Sequence, residues 1–185
     1  MKPTEELVHE HHAVLEALVV LEKVAQAIVN GNSSAISDFK NLLDFFKGFV
    51  DRCHHGKEED ALFPAMVAQG VKKERRPIGV MLAEHENGRR YVRAMTADLA
   101  AAKNGDRNAL VKIRENASGY RKLLIGHIEK ENNVLFPMAE KILSEESKKG
   151  LVEEFERIER ERTGEGAHEA YHAMLEGLIK AYGKN

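Results

Sequence analysis

The sequence predicts an all-α protein, an up-down-up-down antiparallel four-helix bundle with one or two extra C-terminal helices. Three observations carry that expectation. Apolar residues recur at three- and four-residue spacing almost throughout the chain. Four long periodic segments are joined by short connections, as antiparallel neighbours require. Four prolines and no Trp in 185 residues are too sparse a punctuation for a sandwich of many short strands.

The elements follow in order. Thr4, with Glu5 and Glu6 behind it, starts a first helix whose stripe is Leu7, Val14, Leu18, Leu21, Ala25 and Ile28. Gly31-Asn32-Ser33-Ser34 ends that helix and caps a second, which Phe39, Leu42, Leu43, Phe46, Phe49 and Val50 carry toward His54. A polar loop covers Gly70 to Pro77, and its short basic run, Lys72 to Arg76, reads as a solvated surface. A third helix runs from Ile78 to Lys103, where Asn104-Gly105-Asp106 stops it. A fourth runs from Asn108 past His127. Two more are expected over 146–162 and 167–182, split by Gly164-Glu165-Gly166. Residues 1–145 then form the bundle and 146–185 an appendage packed on it.

Composition excludes several classes. With 28 Lys+Arg against 30 Asp+Glu the net charge is −2, so there is no basic surplus for a nucleic-acid backbone. No run of 18 apolar residues offers a membrane span, and the first residues lack the apolar core of a signal peptide. The single cysteine, Cys53, rules out an internal disulfide framework and a Cys-based zinc finger, and an unpaired thiol suits a cytoplasmic location. Nine histidines remain conspicuous.

They cluster through a repeat. The segment from His54 to Pro64 aligns without gaps on His127 to Pro137, with His, Lys, Glu, Leu, Phe and Pro matching at an offset of 73 (127 − 54). A second pair precedes these, Glu10-His11 and Glu84-His85. Each half thus contributes one early His and one late His-x-x-x-Glu, whose members share a helix face. At 1.5 Å per residue, His11 to Asn30 and Ser34 to His54 are both legs of about 30 Å, and the legs of the second hairpin are about 27 and 28 Å. Pairing the hairpins places four imidazoles and two carboxylates at one end of the core. His12 competes with His11, because the offset of 73 maps His85 onto His12. His11 is preferred for sharing the Leu7, Val14, Leu18 stripe. His9, His55 and Glu59 are expected to face solvent, and Cys53 to be a small buried hydrophobe.

Unpaired carboxylates in an apolar interior cost several kcal/mol each, on the order of what a fold can spare. Neutral imidazoles and ionised carboxylates are metal ligands, and a metal centre removes the difficulty. Two Fe(II) with two Glu and a bridging hydroxide leave only about +1 to bury. An N/O ligand set without thiolate fits Fe, with Mn or Zn as alternatives.

The order His, His-x-x-x-Glu, His, His-x-x-x-Glu, with Leu-Phe-Pro after each Glu, resembles the hemerythrin-like (HHE cation-binding) domain over residues 4–144. The resemblance implies a non-haem di-iron site bridged by Glu58 and Glu131, with His11, His54, His85 and His127 as terminal ligands. It also implies a partner such as O2, or the sensing of oxygen, NO, peroxide or iron, with an enzyme reducing peroxide or NO as the alternative. The family's oxygen carriers use a fifth His one turn after the third-helix ligand, and here that position is Arg89. Either the site keeps an open coordination position, or another residue fills it: His168 and His172, four apart on the last helix, are candidates to fold over the site and supply the missing imidazole, the other reading being a surface pair on an end helix. Two rival motifs carry less. His168-Glu169-Ala170-Tyr171-His172 matches the zinc-protease pattern, but only 13 residues follow His172 and nothing upstream resembles the accompanying sheet. The Glu-x-x-His pairs 165/168 and 169/172 that a ferritin-like site would need sit together near the start of the last helix rather than on two helices.

Overall fold

The computed structural model describes residues 2–164 and 166–183; Met1, Glu165, Lys184 and Asn185 lie outside it, and with Glu165 the 165/168 pair. The described residues are all-helical, with no strand among them. Helix α1 is Pro3–Val29. Helix α2 is continuous over 35–68, with π-helical stretches at Phe46–His55 and Glu58–Leu62. Helix α3 is Ile78–Lys103, and α4 spans 107–142 with a π-helical stretch at Glu131–Leu135. Helices α5, Glu145–Arg162, and α6, Ala167–Tyr182, complete the chain. No helix is long and apolar enough to cross a membrane among the described residues.

Local chemistry sets several of these ends. Pro3 opens α1, where its missing N–H is no loss. Thr4 is buried and donates instead to Glu140 Oε1 at 2.6 Å, tying α1 to α4. Asp106 caps α4 by accepting from the Asn108 amide at 2.9 Å, and Ser144 caps α5 through the Ser147 amide. Within α2 and α4, Pro64 and Pro137 come two residues after the last residue of a π-helical stretch. A proline removes an i→i−4 bond, and the shifted register of the wider π turn accommodates it.

The core has two apolar clusters with the histidines between them. One gathers Val14 to Ile28 of α1, Phe39 to Val50 of α2, Val92 to Leu99 of α3 and Ile113 to Ile128 of α4, closed by Leu175 and Leu178 of α6. The other gathers Leu7, Leu62, Phe63, Met66, Ile78, Met81, Leu135 and Phe136 with Leu151, Phe155 and Ile158 of α5. The sequence placed the imidazoles at one end of the core. The structure places them between two apolar layers, because α2 and α4 continue past their Leu-Phe-Pro segments and α5 packs on those extensions. Close approach is bought with glycine at two positions: a Cβ on Gly48 would meet the Tyr171 hydroxyl of α6 at 1.9 Å, and one on Gly56 the Arg162 guanidinium of α5 at 2.6 Å.

Candidate metal centre

The boundary between the clusters falls at one polar site in each long helix. His11, His54, Glu58, His85, His127 and Glu131 are all at most 2% exposed. His11 lies at Nε2–Nε2 3.1 Å from His54, and His85 at the same distance from His127. Glu131 approaches His11 Nε2 at 3.2 Å with one oxygen and His127 Nε2 at 3.0 Å with the other. Glu58 approaches His54 Nε2 at 3.8 Å and His85 Nε2 at 3.3 Å, again with different oxygens. Each carboxylate therefore touches an imidazole of both pairs. His12 is exposed, so the structure places His11 rather than His12 at this position.

Every one of the four imidazoles is oriented from behind. His54 Nδ1 donates to Glu10 Oε2 at 2.7 Å, His85 Nδ1 to Glu59 Oε1 at 2.7 Å, His127 Nδ1 to Glu84 Oε2 at 3.0 Å and His11 Nδ1 to Asn132 Oδ1 at 2.8 Å. A proton fixed on Nδ1 leaves the neutral ring with a bare acceptor at Nε2. Four such acceptors converge in two pairs, beside four carboxylate oxygens that make no hydrogen bond. Facing acceptors in a dry interior repel unless a cation stands between them. Two nitrogens bound side by side to one ion at about 2.1 Å lie about 3 Å apart, which is the spacing seen. The donor set and its orphaned atoms fit metal ions.

A fifth imidazole joins them. His55, expected to face solvent, is 4% exposed and stacks on His85 with ring centroids 3.8 Å apart. Its Nδ1 is buried without a hydrogen bond, 3.5 Å from Asp51 Oδ1. Adjacent residues on an α-helix point about 100° apart, so inward His54 argued for outward His55. The π-helical stretch ending at His55 breaks that rule and turns both inward. Two groups of donors result, each with donor atoms all within 4.8 Å: His55, Glu58, His85 and His127, and His11, His54, Glu58 and Glu131.

The structure does not bring His168 and His172 to this cluster. Helix α6 packs outside α1, where His168 Nε2 lies 3.9 Å from Glu10 Oε1 and His172 packs edge-on to Phe49. His168, Glu10 and Glu159 form a third group with converging donors. Its cation is already present, because Lys57 Nζ lies 2.6 Å from Glu10 and 3.0 Å from Glu159. Glu59, also expected in solvent, is held on His85 by Arg89, whose Nη2 donates to the same Glu59 oxygen at 2.7 Å while Nε donates to Asp51 at 2.8 Å. The Arg89 position thus supports the centre rather than ligating it. Cys53 is buried as expected, and burial pushes its thiol up to about 12.

Without metal, protons take over part of the cation's role. Burial pulls the His127 imidazole down, but the Glu131 and Glu84 carboxylates outweigh it and raise its pKa to about 9. His54 and His85 shift upward for the same reason. Burial and the neighbouring imidazoles hold His55 well below its ordinary value, so its penalty falls at pH below about 6.5, outside the following window. A raised histidine contributes stability in full below the unfolded value of about 6.5, and that contribution is lost as pH rises through about 9. Urea unfolding of chelator-treated protein is therefore expected to show stability falling from pH 6.5 to 9, by on the order of 3 kcal/mol from His127 alone. A flat profile would contradict the pairing.

A model of the family described as hemerythrin HHE cation binding domain matches residues 2–139. Among curated proteins, the chain is 22% identical over 179 residues to proteins of Mycobacterium bovis and of two Mycobacterium tuberculosis strains, each described as uncharacterized. Those alignments cover 97% of this chain and 69% of each relative. No solved structure matches it significantly.

Proposed function

Because the chain belongs to the hemerythrin HHE cation-binding family, we propose that its buried cluster holds a non-haem di-iron centre binding O2 or a related small oxidant. The observation that carries this reading is the pair of Nε2–Nε2 contacts at 3.1 Å, each between rings whose Nδ1 is already committed to an outer acceptor. His55, His85 and His127 would hold one ion and His11 and His54 the other, with Glu58 and Glu131, each in reach of both imidazole pairs, as the shared carboxylates. Mn or Zn suits the same donors. The donors divide three imidazoles against two, so the His11–His54 position would offer the fewer protein ligands and the more room for a small oxidant. The metal pair supplies the electrons and the Lewis acidity for binding an oxidant.

The protein's own part is positional. Glu10, Glu59, Glu84 and Asn132 fix ring orientation, and the carboxylates among them raise ligand basicity. Phe136, stacked on His11 with centroids 5.6 Å apart, and the two apolar clusters keep water from the centre. Alternation of those clusters along α1 to α4 supports the up-down-up-down order, with α5 and α6 as an appendage completing both layers.

Metal titration tests the assignment. Wild-type protein is expected to saturate at two Fe(II) per chain, and His55→Leu to weaken one equivalent. His168→Ala and His172→Ala are expected to leave the count at two. A His55→Leu protein that keeps both metals at wild-type affinity would remove His55 from the ligand set.

A further inference from the structure

Lys57 is a buried lysine in the middle of a carboxylate cluster. Its ammonium donates to Glu10 Oε1 at 2.6 Å, Glu6 Oε1 at 2.7 Å and Glu159 Oε2 at 3.0 Å, so all three of its protons are used. Glu159 comes from α5, and Phe155 of the same helix places its ring centroid 5.9 Å from the ammonium. The other oxygen of Glu10 accepts from His54 Nδ1. An unbroken line of short contacts thus runs from α5 through Lys57 and Glu10 to an imidazole of the centre.

The repeat supplies a control within the same molecule. Lys130, at an offset of 73 (130 − 57), donates to Glu84 Oε1 at 2.6 Å, and Glu84 accepts from His127 Nδ1. The lysine, carboxylate and imidazole are in the same relation in both halves. Their surroundings differ: the Lys130 side chain is 44% exposed, while that of Lys57 is 1% exposed beneath α5. A desolvated ammonium is retained only where carboxylates match it. Three do so here, and one of them belongs to the C-terminal appendage.

We propose that Lys57 is a positioning residue for the His11–His54 half of the centre, and that α5 sets its place through Glu159. Lys130 does the same for the His127 half without help from α5. The proposal rests on the two-metal reading given above. A carboxylate on Nδ1 orients a ligating ring only if the carboxylate is itself held. Lys57 holds Glu10 in the rotamer that reaches His54, and the appendage thereby adjusts one metal position and not the other.

The test is a Co(II) titration of the full chain against a competing chelator, read by Co(II) absorption. His11→Leu and His55→Leu backgrounds assign the two equivalents. Lys57→Met and Glu159→Gln are expected to weaken the His11–His54 equivalent about 10- to 100-fold and leave the other within about twofold. Lys130→Met is expected to act on the other equivalent, and Lys57→Arg to recover part of the Lys57→Met loss. Glu159 is partly exposed, so Glu159→Gln keeps the test decisive if Lys57→Met does not fold. Two equivalents that weaken together, or neither weakening, would overturn the proposal while leaving the two-metal reading intact. Wild-type protein that takes up no Co(II) would overturn both.

Discussion

Glu131→Gln is expected to abolish two-metal loading, with the largest single-residue effect in the molecule. Glu131 is completely buried and reaches His11 with one oxygen and His127 with the other. The amide keeps the volume but removes the negative charge and turns half of the group into a donor aimed at a lone pair. Removing one partner of a buried charge pair costs about 3–5 kcal/mol, which corresponds to a loss of about 10²–10⁴ in affinity. Metal counting after desalting checks it, with circular dichroism to verify the fold. Glu58→Gln acts in the same direction, because Glu58 also touches both pairs. Retention of two tightly bound metals by either variant would contradict bridging.

The second large effect is on stability. On the proposed reading metal would bind only the folded arrangement of five imidazoles and two carboxylates, which the unfolded chain does not present. At free metal about a thousandfold above Kd, each site adds about 4 kcal/mol, so two sites add about 8. For a chain of this length, about 2–4 °C per kcal/mol converts this to a rise in Tm on the order of 20 °C. Calorimetry with and without a chelator measures it, and a metal-independent Tm would contradict the centre's role in holding the core together.

The sequence was informative where helical periodicity and the repeat act together. His11, His54, His85, His127, Glu58 and Glu131 follow from two His-x-x-x-Glu segments, two Glu-His pairs and helices of equal length. Those quantities depend only on rise per residue and on the face a side chain takes. His55 was not legible, because it depends on a π-helical stretch that carries no periodic signature. The signal for it was a second His beside the first, which a 3.6-residue period discounts. Glu59 and Arg89 were not legible either, since their roles come from a contact between α2 and α3. His168 lies beside Glu10 rather than in the central cluster for a related reason. Leu175 and Leu178 of its helix are buried, but where that face docks depends on the left-handed glycines Gly164 and Gly166 and on the close approach at Gly48. Lys57 shows the limit most clearly. The repeat marked it as matched with Lys130, yet its burial comes from α5, which lies beyond the repeat.

The most direct measurement of the central claim is anaerobic reconstitution with Fe(II), followed by metal counting and absorption spectra as O2 is admitted. Two irons per chain, a colourless reduced form, and new near-ultraviolet and visible charge-transfer bands on oxygenation that weaken in Glu131→Gln are expected. Fewer than two irons per chain, with no such band on admitting O2, would contradict that claim.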